Sequence, residues 1–197
     1  MMPVRILVFA KAPLPGAVKT RLVTVLGEEG AAALATEQLL QTLQKALAAN
    51  VGPVELCAAP SRHHPLWRQL PLPTRLQWSD QGEGDLGMRM GRAAQRALSG
   101  GDPVLLIGTD CPQLTGELLR DAAASLAEYD CCLIPALDGG YVLLGLARWQ
   151  ADLFSAMPWS TAQVADLTRQ RMAAAGLSCY EWPALRDIDE PADLQWL

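Results

Sequence analysis

Residues 4–10 read VRILVFA, an apolar run broken only by Arg5, and the basic residue Lys11 follows directly. A strand that is apolar on both faces is typical of the interior of a parallel sheet, where helices cover both sides. Similar short runs recur along the chain and predict further strands at residues 54–59, 75–78, 104–107, 131–137, 141–146 and 179–182. The first run therefore predicts the buried opening strand of an α/β sheet.

Helical patterns separate most of these strands. Residues 28–49 carry an apolar stripe of leucines and alanines, and Asp85 and Thr115 each stand where a helix cap is expected. Ser160 and Gln163 match a capping box that opens a further helix. Strands that alternate with helices predict a mostly parallel central sheet inside an α/β/α sandwich. Since no linker or repeat divides residues 1–197, we expect a single domain.

Composition narrows the class of protein. Half of the 197 residues are apolar, 19% are charged and the net charge is −5, which disfavours a general nucleic-acid binder. The apolar run at residues 6–10 is too short for a signal peptide, and no stretch approaches the ~18 apolar residues of a membrane span. The five cysteines include no C-x-x-C pair, which disfavours a zinc site or a disulfide scaffold. We expect a cytoplasmic protein with reduced thiols and no membrane partner.

Polar residues follow the predicted strands at the points where those strands end. In open α/β sheets, ligands bind beyond the carboxyl ends of the strands, so these side chains are expected to converge on one edge of the sheet. They are Lys11, Lys19 and Arg21 after the first strand, Thr109 and Asp110 after residues 104–107, Asp138 after residues 131–137, and Asp187 and Asp189 after the last strand.

The first and fourth strands are followed by residues suited to phosphate and metal binding. Lys19 and Arg21 are suited to bind triphosphate oxygens and to stabilise charge on a leaving pyrophosphate. Asp110, between Gly108 and Pro112, is suited to hold a hard cation such as Mg²⁺, which takes one or two carboxylates together with phosphate oxygens. The alternatives are an ordinary solvated loop for the basic pair and a turn or cap role for Asp110.

Two further motifs carry carboxylates. In Asp187-Ile188-Asp189 both carboxylates point the same way if the backbone is extended, although Asp189 or its neighbour Glu190 could equally begin a terminal helix. In Asp138-Gly139-Gly140 the two glycines let the chain turn tightly against an acceptor, with Asp138 as metal ligand, base or hydroxyl acceptor. Asp-Gly between apolar runs is also a hairpin signal, and both interpretations are compatible.

The glycine-rich segment 82–90 allows close backbone approach to a ligand at Gly84 and Asp85, or is simply a flexible loop with a helix cap. It is neither a dinucleotide-binding fingerprint nor a Walker loop. His63 and His64, beside Pro65, are expected in an exposed turn. Without a G-x-S-x-G elbow, a serine hydrolase finds little support.

Six motifs in this order resemble the GT-A superfamily of transferases, in particular the family named radical-SAM/selenodomain-associated transferase. The motifs are residues 9–22, Gly84-Asp85-Leu86-Gly87 with Arg89-Met90, Gly108-Thr109-Asp110-Cys111-Pro112, Asp138-Gly139-Gly140-Tyr141, Trp159-Ser160-Thr161 and Asp187-Ile188-Asp189-Glu190-Pro191. The superfamily includes the molybdenum-cofactor and phospholactate guanylyltransferases. The resemblance implies a nucleotide-diphospho-sugar transferase-like fold.

Residue by residue, the resemblance implies that Lys19 and Arg21 bind phosphate and that Asp110 and Asp189 hold Mg²⁺ or Mn²⁺. The first loop has one glycine and two prolines, whereas many sugar nucleotidyltransferases have a glycine-rich loop there. Phosphate binding therefore shifts from backbone amides to side chains, including Lys11. Further nucleotide contacts are expected at Gly84, Asp85 and Thr109. Acceptor contacts are expected at Gly139, Gly140, Tyr141, Trp159, Ser160 and Thr161.

The sequence thus predicts a metal-dependent, nucleotide-binding transferase. The first hypothesis is nucleotidyl transfer from a nucleoside triphosphate to a small phosphorylated or hydroxyl acceptor, with Lys19, Arg21 and Asp138 in the chemistry. The second is glycosyl transfer from a nucleotide sugar, with Asp138 as base. The third is a non-catalytic nucleotide-binding or partner module. The base, the acceptor and the oligomeric state stay open at this point.

Overall fold

The computed structural model describes residues 2–197 and contains a seven-stranded sheet. Its strands are β1 (Arg5–Lys11), β2 (Val54–Ala59), β3 (Gln77–Asp80), β4 (Val104–Ile107), β5 (Cys131–Pro135), β6 (Tyr141–Leu146) and β7 (Cys179–Glu181). The helices are α1 (Val23–Ala49), α2 (Pro65–Gln69), α3 (Leu86–Ser99), α4 (Gly116–Ser125) and α5 (Val164–Ala174). Short 3-10 turns lie at Thr20–Leu22, Ala151–Leu153 and Pro191–Trp196.

The strand order is β3-β2-β1-β4-β6-β5-β7, and the sheet is parallel except at β6. That strand runs antiparallel to both of its neighbours, β4 and β5. The reversal occurs at Asp138-Gly139-Gly140, where the Ala136 amide donates to the Gly140 carbonyl at 3.0 Å. The Asp-Gly pair therefore forms the hairpin that its sequence predicts.

Side chains of β1 alternate between two apolar layers. Ile6 and Val8 lie in the layer that α1 and α4 cover, and Leu7 lies in the layer that α3 and α5 cover. All three are fully buried, and burial of one such side chain stabilises the fold by roughly 1.5–3 kcal/mol. The predicted α/β/α sandwich with a mostly parallel central sheet is confirmed.

Two predicted helix caps are present and a third prediction is wrong. Asp85 accepts a hydrogen bond from the Met88 amide at 2.8 Å, and Thr115 accepts one from the Leu118 amide at 3.2 Å. The expected capping box at Ser160 and Gln163 does not form, because Ser160 has a left-handed backbone (φ 63°) and Gln163 makes no capping hydrogen bond. One amide of the first turn of α5 instead bonds to the hairpin, since the Ala165 amide donates to the Gly139 carbonyl at 2.8 Å.

The remaining differences are shifts of boundaries. Helix α1 begins at Val23, five residues before the predicted start at residue 28, and Gly27 (φ 71°, ψ 169°) kinks it. Left-handed backbone at this kink suits glycine, which has no Cβ to clash.

The five cysteines are free, and four of them are buried. Among residues 2–197, no helix has the length and apolar character to cross a membrane.

Candidate active site

A cleft of about 600 Å³ opens at the carboxyl ends of β1 and β4. From β1 the chain passes to β2 on one side, and β4 lies on the other side, so the cleft occupies a topological switch point of the sheet. The loop after β1, the turn after β4, the hairpin after β5 and the C-terminal segment all contribute to its lining. This position is where open α/β proteins bind their ligands.

Lys19 connects three of these segments. Its side chain is only 4% exposed, and its ammonium lies 2.6 Å from Asp110 Oδ1 and 2.7 Å from the Ile188 carbonyl oxygen. A buried ammonium is tolerated only when it is paired, and here a carboxylate and a carbonyl supply the pairing. Lys19 therefore fixes the β1 loop against both the β4 turn and the C-terminal segment.

Arg21 forms a second, more open ion pair. Its guanidinium lies 2.8 Å from Asp189 Oδ2 and 3.5 Å from Glu190, and the Arg21 and Asp189 side chains are 58% and 46% exposed. Exposed pairs of this kind contribute little to stability. The pair is better understood as a cation and a carboxylate that are both open to a ligand in the cleft.

Four aspartates line the cleft: Asp110, Asp138, Asp187 and Asp189. Burial, followed by repulsion from Asp138, Asp110 and Asp189, raises the pKa of Asp187 to about 6. No catalytic or metal role is predicted for Asp187 from the sequence. Its alternation with Asp189 is the sequence signal that places both carboxylates at the cleft. This region therefore concentrates negative charge that a cation or a hydrogen-bond donor would stabilise.

Backbone hydrogen bonds bring the C-terminal segment to the cleft. The Ile188 amide donates to the Asp110 carbonyl at 2.8 Å, and the Leu185 amide donates to the Pro135 carbonyl at 2.9 Å. In return, the Leu137 amide donates to the Leu185 carbonyl at 2.9 Å. The segment is therefore held between the β4 turn and the β5 hairpin. Glu190, rather than Asp189, caps the terminal 3-10 turn.

Two aromatic side chains, Tyr141 and Trp159, also line the cleft. The rings of Tyr141 and Trp159 meet edge to face with centroids 6.4 Å apart, and burial raises the pKa of Tyr141, so its hydroxyl stays neutral. Trp159 Nε1 is buried and has no hydrogen-bond partner among residues 2–197. It packs against Gly87, where an added methyl group would lie 2.7 Å from that nitrogen. Close helix-to-loop packing thus positions Trp159.

The hairpin turn holds Asp138. Its Oδ1 accepts the Gly140 amide at 2.8 Å, which leaves the other carboxylate oxygen for the cleft. Gly139 has a positive φ of 92°, and a methyl group there would lie 2.3 Å from the Ala162 carbonyl oxygen. Glycine is therefore required at position 139, both by the positive φ and by the close contact with Ala162, which precedes α5.

Most of the predicted site residues line the one cleft: Lys11, Lys19, Arg21, Thr109, Asp110, Asp138, Gly140, Tyr141, Trp159, Ser160, Thr161 and Asp189. Gly84, Asp85 and Gly139 are not among the residues that line the cleft. Asp85 caps α3, the Gly84 carbonyl accepts a hydrogen bond from Arg89 Nε at 2.8 Å, and Gly139 lies against Ala162. The nucleotide contacts expected at Gly84 and Asp85 and the acceptor contact expected at Gly139 stay predictions.

Gln81 is a cleft residue that sequence reasoning missed. It is buried, and its amide nitrogen donates to the Ala10 carbonyl at 3.2 Å and to the Cys57 carbonyl at 2.9 Å. The backbone carbonyl oxygen of Gln81 accepts a hydrogen bond from Arg92 Nη1 at 2.6 Å. Gln81 thereby ties the ends of β1 and β2 at the cleft. A polar residue directly after β3 was the available signal.

The aspartates of the cleft are candidate ligands for a metal ion. Within the described part of the chain, no group of three His, Cys, Asp or Glu side chains is arranged as a complete metal site. Mg²⁺ usually takes one or two protein carboxylates and completes its shell with water and phosphate oxygens. Asp110 and Asp189, whose side chains are 50% and 46% exposed, fit that mode of binding. Their all-oxygen chemistry suits Mg²⁺ or Mn²⁺.

The fold and the cleft are of the nucleotide-diphospho-sugar transferase-like (GT-A) type, and comparisons define the family within it. Residues 42–161 match the family described as "Uncharacterized protein conserved in bacteria (DUF2064)", and the chain belongs to this family. No curated protein matches it in sequence.

Solved structures show the same architecture. A candidate nucleotide-diphospho-sugar transferase from Desulfovibrio desulfuricans G20 is 33% identical, with a TM-score of 0.88 over 96% of this chain and 84% of that one. The 4-diphosphocytidyl-2C-methyl-D-erythritol synthase from Anaerococcus prevotii DSM 20548 is 10% identical, with a TM-score of 0.64 over 98% and 94%. A CMP:2-keto-3-deoxy-manno-octonic acid synthetase complexed with CTP is 12% identical, with a TM-score of 0.56 over 98% and 96%. The last two show the fold alone.

Proposed function

We propose that the chain is a metal-dependent nucleotidyltransferase, which transfers a nucleotidyl group from a nucleoside triphosphate to a small acceptor. One observation carries the proposal. Lys19 and Asp110 lie 2.6 Å apart, and Arg21 and Asp189 lie 2.8 Å apart, in one cleft at the switch point of the sheet. Cations for phosphate and carboxylates for a metal are therefore side by side.

The cations act on the triphosphate. Lys11 at the end of β1, with Lys19 and Arg21 after it, lines the cleft, where the three cations neutralise the α-phosphate and the departing pyrophosphate. Lys19 is already fixed by two hydrogen bonds, so little reorganisation accompanies the reaction. Arg21 adds a planar fork of donors that matches phosphate geometry.

The carboxylates divide into two roles. Asp110 and Asp189 would hold Mg²⁺ or Mn²⁺, which as a Lewis acid draws charge from phosphate oxygens. Asp138, with one oxygen held by the Gly140 amide, orients the acceptor hydroxyl and takes its proton. Two structural neighbours are consistent with a nucleotide substrate, since one is named for diphosphocytidyl chemistry and the other is complexed with CTP.

Glycosyl transfer from a nucleotide sugar is the second candidate. The observation that favours it is the 33% identical neighbour, which is described as a nucleotide-diphospho-sugar transferase. The same cations would then stabilise a leaving nucleoside diphosphate. The product distinguishes the two reactions, because nucleotidyl transfer releases pyrophosphate and glycosyl transfer releases a nucleoside diphosphate.

The first experiment is thermal unfolding with a panel of nucleoside triphosphates and nucleotide sugars, each with and without Mg²⁺ or Mn²⁺. A ligand at 100 times its dissociation constant adds about 2.7 kcal/mol, which corresponds to about 5–10 °C for a domain of this size. We expect one triphosphate to give such a shift only with metal, and Asp110→Asn to abolish it.

Asp121→Asn is the matched control, since Asp121 is exposed on α4, outside the cleft. It should keep the full shift. A shift with nucleotide sugars only would favour glycosyl transfer. No shift with any nucleotide, in well-folded protein, would contradict both candidates and favour a partner module.

A further inference from the structure

We infer that the acceptor is a small uncharged hydroxyl compound, such as a polyol or free sugar, and not a phosphorylated one. This inference rests on the proposed function and concerns the same cleft. The reasoning depends on how charge and aromatic surface are distributed along the cleft. The cationic part of the lining is assigned to the triphosphate, and the aromatic part with Asp138 and Asp187 is assigned to the acceptor.

Among the described residues, the cations of the lining come from one short segment. Lys11 is the last residue of β1, Lys19 lies in the loop that follows, and Arg21 lies in the 3-10 turn Thr20–Leu22. From β4 to the C-terminus, the described residues that line the cleft include four aspartates and no lysine or arginine. Within residues 2–197, the cationic side chains of the lining therefore come from residues 11–21, and we assign the triphosphate of the proposed reaction to them.

The nearest arginines on the helices are directed elsewhere. Arg89 Nε donates to the Gly84 carbonyl at 2.8 Å, and Arg92 donates to the Gln81 and Glu83 carbonyls at 2.6 Å and 2.8 Å. On α5, Arg171 donates to the carbonyls of the preceding loop. These guanidiniums brace loops and are absent from the lining, so they supply no second phosphate site.

The acceptor side has the chemistry of a polyol site. Asp138 and Asp187 remain after two aspartates are assigned to the metal, and carboxylates accept hydrogen bonds from hydroxyl groups. The rings of Tyr141 and Trp159, together with Met90, offer an apolar wall for the C–H faces of a sugar. A phosphate dianion would meet like charges here, whereas a neutral hydroxyl compound would not.

With such an acceptor, the proposed nucleotidyl transfer is a displacement at the α-phosphorus of the triphosphate. A hydroxyl oxygen of the acceptor forms a bond to the α-phosphorus while the bond from that phosphorus to the bridging oxygen breaks. Pyrophosphate leaves with the electron pair of the broken bond. The hydroxyl proton passes to the Asp138 carboxylate and then to water.

Matched pairs of compounds test the inference. Saturation-transfer NMR would compare glycerol with glycerol 3-phosphate, glucose with glucose 6-phosphate, and inositol with inositol 1-phosphate, each with and without Mg²⁺ and the best nucleotide. We expect the neutral member of the pairs that bind to give at least about fivefold more saturation. Asp138→Asn should reduce that preference at least threefold, and Asp121→Asn should leave it unchanged.

Two results would overturn the inference: equal or stronger binding of the phosphorylated members, or no saturation of any neutral compound above the level with Asp138→Asn. The nucleotide-dependent thermal shift is measured on the same samples. Its loss counts against the proposed function, while the ratio within each pair tests the acceptor class separately.

Discussion

At the scale of single residues, Lys19 joins segments that are far apart in the sequence. Its backbone is left-handed (φ 44°), and its buried ammonium joins Asp110 to the Ile188 carbonyl. Lys19→Met keeps the apolar stem but removes the charge. We expect the free energy of unfolding to fall by about 1–2 kcal/mol, below the value for a fully buried charged hydrogen bond because Asp110 is half exposed. The nucleotide-dependent thermal shift should disappear, as measured by unfolding with and without triphosphate and metal.

Lys45→Met is the matched control for that prediction. Lys45 Nζ donates to the Pro112 carbonyl at 2.7 Å, so it also holds a loop near the β4 turn, but within residues 2–197 no carboxylate pairs with it and it is not part of the cleft lining. It should lose comparable stability and keep the nucleotide shift. Equal loss of the shift in both variants would mean that loop support, and not phosphate binding, explains Lys19.

At the scale of elements, local signals predicted structure wherever the deciding contacts were local. Asp85 and Thr115 cap their helices because a side chain needs only its own next turn to do so. Ser160 failed as a cap for the opposite reason. The hairpin carbonyl of Gly139, distant in sequence, receives the α5 amide, and nothing within residues 160–163 signals that contact.

The packing of α3 against the Trp159 loop leads to a second prediction. An alanine Cβ at Gly87 would lie 2.3 Å from the Phe154 carbonyl oxygen and 2.7 Å from Trp159 Nε1. Gly87→Ala must therefore push the loop away from the helix, and overpacking of this kind typically destabilises by about 1–3 kcal/mol. We expect a lower melting temperature and weaker acceptor binding, with near-normal nucleotide binding, measured by unfolding and saturation-transfer NMR.

Gly91→Ala provides the comparison, one turn further along the same helix. A methyl group there would lie 3.3 Å from Phe154 Cβ and Cγ, a tight contact that a shift of a few tenths of an ångström relieves. Alanine also favours the helix by up to ~1 kcal/mol over glycine. A near-neutral result for Gly91→Ala beside a clear loss for Gly87→Ala is expected; equal effects would contradict the proposed positioning of Trp159.

At the scale of the whole molecule, the cleft could be predicted because parallel strands end on one edge. Lys19, Asp110 and Asp189 are far apart in sequence, yet each follows a strand, and that rule alone brought them together. The same rule could not place Gly84 and Asp85, because the orientation of that loop depends on Arg89 and Arg92. Nor does local pattern reveal that β6 inserts between β4 and β5.

Because residues 17–21 and 187–189 meet in the cleft, ligand binding should protect both segments together. The Lys19 bond to Ile188 and the Ile188 bond to Asp110 couple the β1 loop, the β4 turn and the C-terminal segment. We expect triphosphate with Mg²⁺ to slow amide hydrogen exchange in residues 17–22, 108–111 and 187–190 simultaneously, since binding lowers the population of locally opened states.

Asp189→Asn sharpens this prediction, because Asp189 contacts Arg21 and not Lys19. Ligand is added at a concentration that saturates the variant, so that weaker metal binding does not by itself reduce protection. If the three segments respond as one unit, the substitution should then weaken ligand-induced protection in all of them, including residues 108–111. Protection lost only in residues 187–190 would contradict the coupling and reduce the C-terminal segment to an independent flap. Mass-spectrometric exchange with and without ligand distinguishes the two results, with the β5 amides as an internal reference that the ligand should leave unchanged.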